Sequence, residues 1–362
     1  MIDKYLLSIC IPTYNRSDIL FQCVQECLKN DIEWIEISVT DNASTDSTQE
    51  KLSEIKDTRF HYHRNEKNIG YANFMQSMYN GKGKFCMLLS DEDTIHDVKW
   101  NELKTILLMA DNIALFQFEY YDENNNLLVS GPEREYLADQ TDSYIYVKTH
   151  FQYAGGSIIR RDILHTVWGI IDKTTYLYNL YDEIILPFYC IKYGGLRKLE
   201  CIQVSRSNRN NKGILDTSAW KGGQEEPYWS LKSRQKQFKE WFDLLCSINM
   251  NSRSRFQLLN QNRRQAVYSA IQYYKELHNQ NFLNSALARK AWDIVERDRK
   301  KGKKEWLDIF RKNRKDMTTY FNNKLKITNN HRIITEEMQF ISEYTRIIGK
   351  LLIKWVIGKE EG

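Results

Sequence analysis

The chain has 362 residues, with 52 Lys and Arg against 47 Asp and Glu for a formal charge of +5, and 42% of its side chains are hydrophobic. A chain of this length divides into two or three domains and fills an ordinary core without disulfide or metal staples. The seven cysteines include no Cys-x-x-Cys pair and do not cluster with the seven histidines, which excludes a disulfide scaffold and a zinc module and points to reduced thiols.

So small a net charge gives no reason to expect a nucleic-acid partner. The stretch Met1 to Arg16 lacks the charged, apolar and small-residue succession of a secretory signal. No apolar window approaches the roughly eighteen residues of a membrane span. The expected location is the cytoplasm.

Tyr5 to Ile11 reads as a buried strand stopped by Pro12, and Ser17 or Asp18 as the cap of a helix that aligns Ile19, Leu20, Cys23, Val24, Cys27 and Leu28 on one face. The loop between them, Pro12-Thr13-Tyr14-Asn15-Arg16, is rich in donors and carries a ring on which a nucleotide could lie. Trp34 to Thr40 predicts a second strand that ends in Asp41-Asn42-Ala43-Ser44-Thr45-Asp46, and helical character follows to Ile55. Phe60 to His63 is a short third strand; a loop from Arg64 to Gly70 precedes a helix from Tyr71 to Tyr79, and Gly81-Lys82-Gly83 turns into a fourth strand. A helix from Asp97 to Met109 leads to a fifth strand over Ile113 to Phe118, with a hairpin tip at Glu123-Asn124-Asn125-Asn126. Strands alternating with helices predict a largely parallel α/β sheet with right-handed crossovers, regular to about residue 120.

The fourth strand ends abruptly, Cys86-Met87-Leu88-Leu89-Ser90 running into Asp91-Glu92-Asp93. In an open α/β sheet a ligand binds beyond the carboxyl ends of the strands, so these carboxylates stand where a ligand would. Asp91 and Asp93, two apart, can both reach one hard divalent cation, Mg²⁺ or Mn²⁺, that keeps other positions free for phosphate oxygens. Taken alone, the motif equally suits an acidic turn that caps the next helix.

Farther along, Gly155 and Gly156 make a tight turn into Ile158 and Ile159, and Tyr181-Asp182-Glu183 opens a helix through Ile191 in which Pro187 is tolerable only near the start. Leu196 to Val204 is strand-like and runs into a polar, basic stretch from Ser205 to Lys212. Beyond about residue 225 the strands stop. Apolar spacings over 235–250, 256–278, 282–299 and 306–322 predict a helical C-terminal domain, residues 225–362, after a first domain of 1–224. Arg297 to Lys326 holds twelve Lys or Arg against four Asp or Glu, which favours an anionic surface. In the segment 345–358, Arg346, Lys350 and Lys354 share one row of an otherwise apolar helix. It suits either peripheral contact with the inner face of a membrane or docking on the helices before it, and the helical domain also offers a surface for a homo-oligomer.

Four pieces stand in one order: Leu7 to Arg16, Val39 to Asp46, Asn65 to Gly70, and Leu88 to Asp93. Together they resemble the family 2 glycosyltransferases of GT-A fold, closely over residues 5–120 and loosely over 150–210. The resemblance implies a Rossmann-like, mostly parallel central sheet and an inverting transfer of sugar from a nucleotide-diphospho-sugar donor, commonly a UDP-sugar, to a glycan, glycolipid or glycoprotein acceptor of the bacterial surface. It implies a nucleotide pocket of Pro12, Thr13, Tyr14, Asn15, Arg16, Asp41, Asn68, Gly70, Ser90 and Asp91, with Asp41 accepting from the base. Asp91 and Asp93 would hold Mn²⁺ or Mg²⁺, Asp93 more directly, with Glu92 facing solvent or structural.

The family's catalytic base comes from an acidic pair opening a helix after the acceptor segment. Asp182 and Glu183 fill that place in reversed order; spacing favours Glu183 and side-chain type Asp182, and the shorter carboxylate is preferred. Many relatives carry a His after the following strand, where this chain has Ser205-Arg206-Ser207-Asn208-Arg209. Arg206 or Arg209 could neutralise the diphosphate instead. Gly155 and Gly156 match the family's glycine turn beside the acceptor. Two other readings are a catalytically silent nucleotide- or glycan-binding scaffold of the same fold, and an Asp-x-Asp phosphatase, which would place its motif after the first strand.

Overall fold

The structure is a computed structural model that describes residues 4–70, 72–150, 155–170, 182–206, 241–251, 253–255, 257–259 and 261, with the backbone alone for 170 and 182–185. The chain divides into two compact units, Met1–Tyr228 with Leu244–Asn251, and Trp229–Asp243 with Ser252–Gly362. Nearly all described residues belong to the first. Arg209, the expected helices beyond residue 261 and the terminal segment 345–358 lie outside the described residues.

In chain order the elements are β1 (Tyr5–Thr13), α1 (Ser17–Leu28), β2 (Ile35–Asp41), α2 (Thr48–Ser53), β3 (Phe60–Arg64), α3 (Ala72–Asn80), β4 (Gly83–Leu88), β5 (Thr94–His96), α4 (Trp100–Leu108), β6 (Ile113–Tyr121), β7 (Leu127–Val129), α5 (Thr141–His150), β8 (Ser157–Arg160), α6 (Arg161–Ile170), α7 (Asp182–Tyr193) and β9 (Gly195–Ser205). The strands form one sheet in the order β3-β2-β1-β4-β8-β6-β9-β5, with β7 paired to β6. From β3 to β4 all pairs are parallel. The sheet is mixed beyond that, because β8 enters antiparallel between β4 and β6, and β5 runs antiparallel to β9. This is the α/β architecture of the GT-A fold, with a glycine turn and a short reversed strand where the regular alternation stops.

Alternation within the strands sorts the two faces of the sheet. Leu7, Ile9 and Ile11 of β1, Ile35, Ile37 and Val39 of β2, and Phe85 and Met87 of β4 join Leu20 and Val24 of α1 and Leu103 and Leu107 of α4 in one buried core. The opposite face, under α3, is polar although equally buried: Ser8, Glu36, Ser38 and Thr40 are each 0% exposed. Glu36 is held there by the Ser8 hydroxyl and by the Lys82 backbone N–H at 2.7 Å, while Gly83 N–H donates to Ser8 Oγ at 2.8 Å. A buried carboxylate needs such donors.

Three local expectations change. Strand β1 does not stop at Pro12 but continues to Thr13, paired with β2 through Asp41. Cys10 O accepts from Leu89 N on the β4 side and Thr13 O from Asn42 N on the β2 side. Pro12, in step with Cys10, therefore turns its nitrogen toward β4 beyond the last paired residue, Leu88, where the missing N–H breaks no ladder bond. Helix α1 has no side-chain cap from Ser17 or Asp18. Its Ser17 N–H donates instead to Asp46 Oδ2 at 3.0 Å, from the loop after β2. The expected helix from Asp97 begins only at Trp100, since Asp97 has φ +48°.

Candidate active site

The carboxyl ends of β1, β2 and β4 meet at the acidic loop. Asp91 is 2% exposed and Asp93 3%. From the end of β1, Thr13 donates to Asp91 Oδ2 at 2.8 Å and Arg16 Nη1 to Asp91 Oδ1 at 2.8 Å, with Glu92 Oε2 3.4 Å from the same nitrogen. Glu92 is thus part of the arginine's ionic cluster. Burial raises the Asp91 carboxyl above its ordinary range, opposed by the Arg16 charge and by the Thr13 and Arg16 hydrogen bonds.

Asp93 is differently placed. Its Oδ2 accepts from the Tyr120 hydroxyl at 3.1 Å, while Oδ1 is buried without a hydrogen-bond partner. Burial pushes its pKa up to about 7, the Tyr120 hydrogen bond pulling down and the charges of Glu92 and Asp91 adding to the rise. A buried, unpaired carboxylate oxygen is costly, and a divalent cation would satisfy it. Among the described residues no group of three or more His, Cys, Asp or Glu converges as a metal cage. A cation held at Asp93 would therefore draw most of its ligands from phosphate oxygens and water, as Mg²⁺ and Mn²⁺ readily do.

The loops after β1 and β2 are tied to each other. Asn15, at φ +55°, receives Thr45 N–H on Oδ1 at 2.7 Å and gives its own N–H to Ser44 Oγ at 2.8 Å. Asp41 is fully buried; Oδ1 accepts from Ser44 N–H at 2.9 Å, and Oδ2 from the Tyr62 hydroxyl at 2.7 Å and from Arg64. Register explains the ion pair, since Arg64 is the β3 residue opposite Asp41. Burial and the Asp41 hydrogen bond push the Tyr62 phenol up to about 12. The Arg64 side chain of that pair is 35% exposed, whereas that of Asp41 is fully buried.

An asparagine network positions the next loop. Asn42 gives its amide to Asn68 Oδ1 at 2.9 Å and to Gly70 O at 3.2 Å, and takes Asn65 Nδ2 and Ile69 N–H on Oδ1. Gly70, at φ +63°, closes the loop through Asn68 Oδ1 at 2.8 Å. Asn68 Nδ2 remains buried and unpartnered. Tyr14 and Ser90 lie partly exposed beside these loops, and Pro12 is buried at the end of β1.

On the other flank, β5 pairs with β9 in the register Thr94–Ser205. Asp93 and Arg206, the next residues outward on the two antiparallel strands, are thereby neighbours, and the Arg206 charge acts on Asp93. Gly155 and Gly156 stand over the Tyr120 ring. The backbone of α7 begins at Asp182 followed by Glu183, and Pro187 lies in its second turn.

The structure brings Thr13, Arg16, Asp91, Asp93 and Arg206 to one mouth, and Asp41, Asn68 and Gly70 to the adjacent loops. Tyr120, Tyr62 and Arg64 join the site without a role assigned from the sequence. Tyr120 had a signal, being the polar end of the buried row Phe116, Phe118, Tyr120; Arg64 could have been found only from the β2–β3 register.

Comparison with known proteins bears on the family and the fold. Residues 8–168 match the family model described as glycosyl transferase family 2. The chain is 28% identical over 202 residues to abequosyltransferase RfbV of Salmonella typhimurium, covering 53% of this chain and 50% of the relative. It is 29% identical over 143 residues, 39% of this chain and 54% of the relative, to the Escherichia coli UDP-Glc:alpha-D-GlcNAc-diphosphoundecaprenol beta-1,3-glucosyltransferase WfgD. The chain thus spans about half the length of these curated relatives. Among solved structures, S. aureus TarS 1-349 in complex with UDP-GlcNAc shares the fold at a TM-score of 0.55 and 13% identity, over 77% of this chain and 76% of that one. Among the described residues no helix is long and apolar enough to cross a membrane.

Proposed function

We propose that this chain, which belongs to the family 2 glycosyltransferases, transfers a sugar from a nucleotide diphosphate donor to a glycan or glycoconjugate acceptor with inversion at the anomeric carbon. The observation that carries the reading is the convergence of Thr13 and Arg16 on Asp91 while Asp93 keeps one buried oxygen unpaired. That arrangement orients one acid through fixed donors and leaves the other with an open acceptor, which a divalent cation accompanying a diphosphate would use.

In this reading the nucleoside lies across the loops after β1, β2 and β3, with Tyr14, Asn68 and Gly70 along it. The base N–H reaches Asp41 when Arg64 turns outward. Asp91, held by Thr13 and Arg16, faces the ribose. Asp93 would hold Mn²⁺ or Mg²⁺, which when bound would supply Lewis-acid stabilisation of the leaving diphosphate. Arg206 adds positive charge at the same flank, and Arg209 remains a second candidate for neutralising the diphosphate. The acid that takes the acceptor hydroxyl's proton comes from the start of α7, Asp182 or Glu183, with Asp182 preferred. The glycine turn at Gly155 and Gly156 borders the acceptor.

UDP-Glc in the name of WfgD and UDP-GlcNAc bound to TarS support a UDP-sugar. The diphosphoundecaprenol in the name of WfgD supports a lipid-linked or surface-glycan acceptor, which would bring the chain to the inner face of a membrane. The test is nucleoside diphosphate release from a panel of nucleotide sugars, with Mn²⁺, with Mg²⁺ and with EDTA. Release from at least one donor, lost in EDTA and in Asp93→Ala, is expected; release indifferent to both would reject the mechanism, and no release from any donor would leave a binding scaffold.

A further inference from the structure

Asp93 poses a geometric problem that its own side chain does not solve. The terminal torsion of an aspartate is broad, so nothing intrinsic fixes which oxygen faces the mouth. The fixing contact is the Tyr120 hydroxyl, 3.1 Å from Oδ2, which leaves Oδ1 as the unpartnered oxygen. Tyr120 is 6% exposed near the end of β6, paired with Val204 of β9 and Val129 of β7.

The ring's own position is set from above. A Cβ on Gly155 would lie 3.0 Å from Tyr120 Cε2 and 3.2 Å from Cζ; one on Gly156 would lie 3.0 Å from Tyr120 Cβ. Gly156 also holds φ +84°, and its carbonyl accepts from Phe118 N–H at 3.0 Å, which anchors the turn to the strand that carries Tyr120. Both glycines thus leave space that the ring fills. A side chain at Gly155 would require the phenol to give by a few tenths of an ångström, and its O–H···O bond, at 3.1 Å, is already longer than usual.

We propose that Tyr120 is a positioning residue that fixes the free oxygen of Asp93 toward the cation, and that the turn at Gly155 and Gly156 acts on this site by seating the Tyr120 ring. The inference rests on the proposed function, since it concerns how Asp93 is aimed. It gives the glycine turn a task on the donor side as well as beside the acceptor. Partners that orient a metal's ligand typically matter 10–100-fold in affinity.

The experiment measures Mn²⁺ binding to the full chain, with UDP present, from the free-Mn²⁺ signal in electron paramagnetic resonance. Tyr120→Phe should weaken Mn²⁺ about tenfold or more, and saturating Mn²⁺ should restore turnover toward the wild-type rate. Tyr121→Phe, which removes a hydroxyl bonded to Glu119 at 2.7 Å, should leave Mn²⁺ affinity unchanged. Gly155→Ala should weaken Mn²⁺ in the wild-type background and add little in the Tyr120→Phe background, because its effect passes through that hydroxyl. Unchanged affinity in Tyr120→Phe, an equal loss in Tyr121→Phe, or a fully additive Gly155→Ala would overturn the proposal while leaving the metal reading intact. Wild-type protein that binds no Mn²⁺ would remove both. If Gly155→Ala does not fold, the two tyrosine variants decide.

Discussion

Arg16 and Asp91 lie 75 residues apart in the chain, and their side chains meet at 2.8 Å at the mouth of the sheet. The contact joins the end of β1 to the end of β4 and neutralises a carboxylate that is almost wholly buried. Arg16→Met should therefore act twice. Leaving Asp91 without its cation should destabilise the fold by about 1–3 kcal/mol, read as a lowered midpoint in urea. Donor KM should rise by at least about tenfold, measured as nucleoside diphosphate release, with a smaller change in kcat.

Asp93 gives a pH-dependent prediction whose sign can be worked out. Its pKa of about 7 in the folded protein lies above that of an ordinary aspartate. Between about pH 4 and 7 the native state holds a proton that the unfolded chain has given up, so this group's contribution to stability falls as pH rises through that window. Asp93→Asn keeps an acceptor for Tyr120 and removes the titration. It should match wild type near pH 4 and exceed it above pH 7 by up to about 4 kcal/mol. Thermal melts at both pH values check this; a variant less stable than wild type at pH 8 would show that Asp93 is not held in an unfavourable ionised state.

The polar face under α3 predicts an asymmetric pair of variants. Glu36→Ala strips the Ser8 hydroxyl and the Lys82 N–H of their buried acceptor and should cost about 2–4 kcal/mol. Glu36→Gln keeps an oxygen in that place and should cost less than half as much. Chemical denaturation separates them, and equal losses would mean that charge, not hydrogen bonding, holds Glu36.

At the start of α7 the two acids separate by kinetics. The proton acceptor, replaced by its amide, should lose turnover by about 10²–10⁴-fold with donor KM little changed, and its neighbour should not. Asp182→Asn is expected to be the severe variant. A severe Glu183→Gln beside a mild Asp182→Asn would assign the role by spacing instead.

Much of this site could be read from the chain because its signals are local. The apolar runs in β1, β2 and β4 and the carboxylates that end β4 need only their neighbours to be recognised. What escaped depends on distant partners. Strand β5 has three residues, too few to show alternation, and exists because β9 pairs with it; His96 meets Ser205 across 109 residues. The cap of α1 comes from Asp46 in another loop, and Asp41 is closed by Arg64 only through the β2–β3 register. Tyr120 reads as one more aromatic in a buried row until the fold sets Asp93 beside it.

The central claim is that the buried, unpartnered oxygen of Asp93 would hold a divalent cation. Its most direct measurement is anomalous diffraction at the manganese edge from crystals soaked with Mn²⁺ and UDP. A single strong peak beside Asp93 Oδ1 is predicted. Diphosphate density at the mouth with no manganese beside Asp93, or a manganese peak elsewhere on the chain, would contradict it.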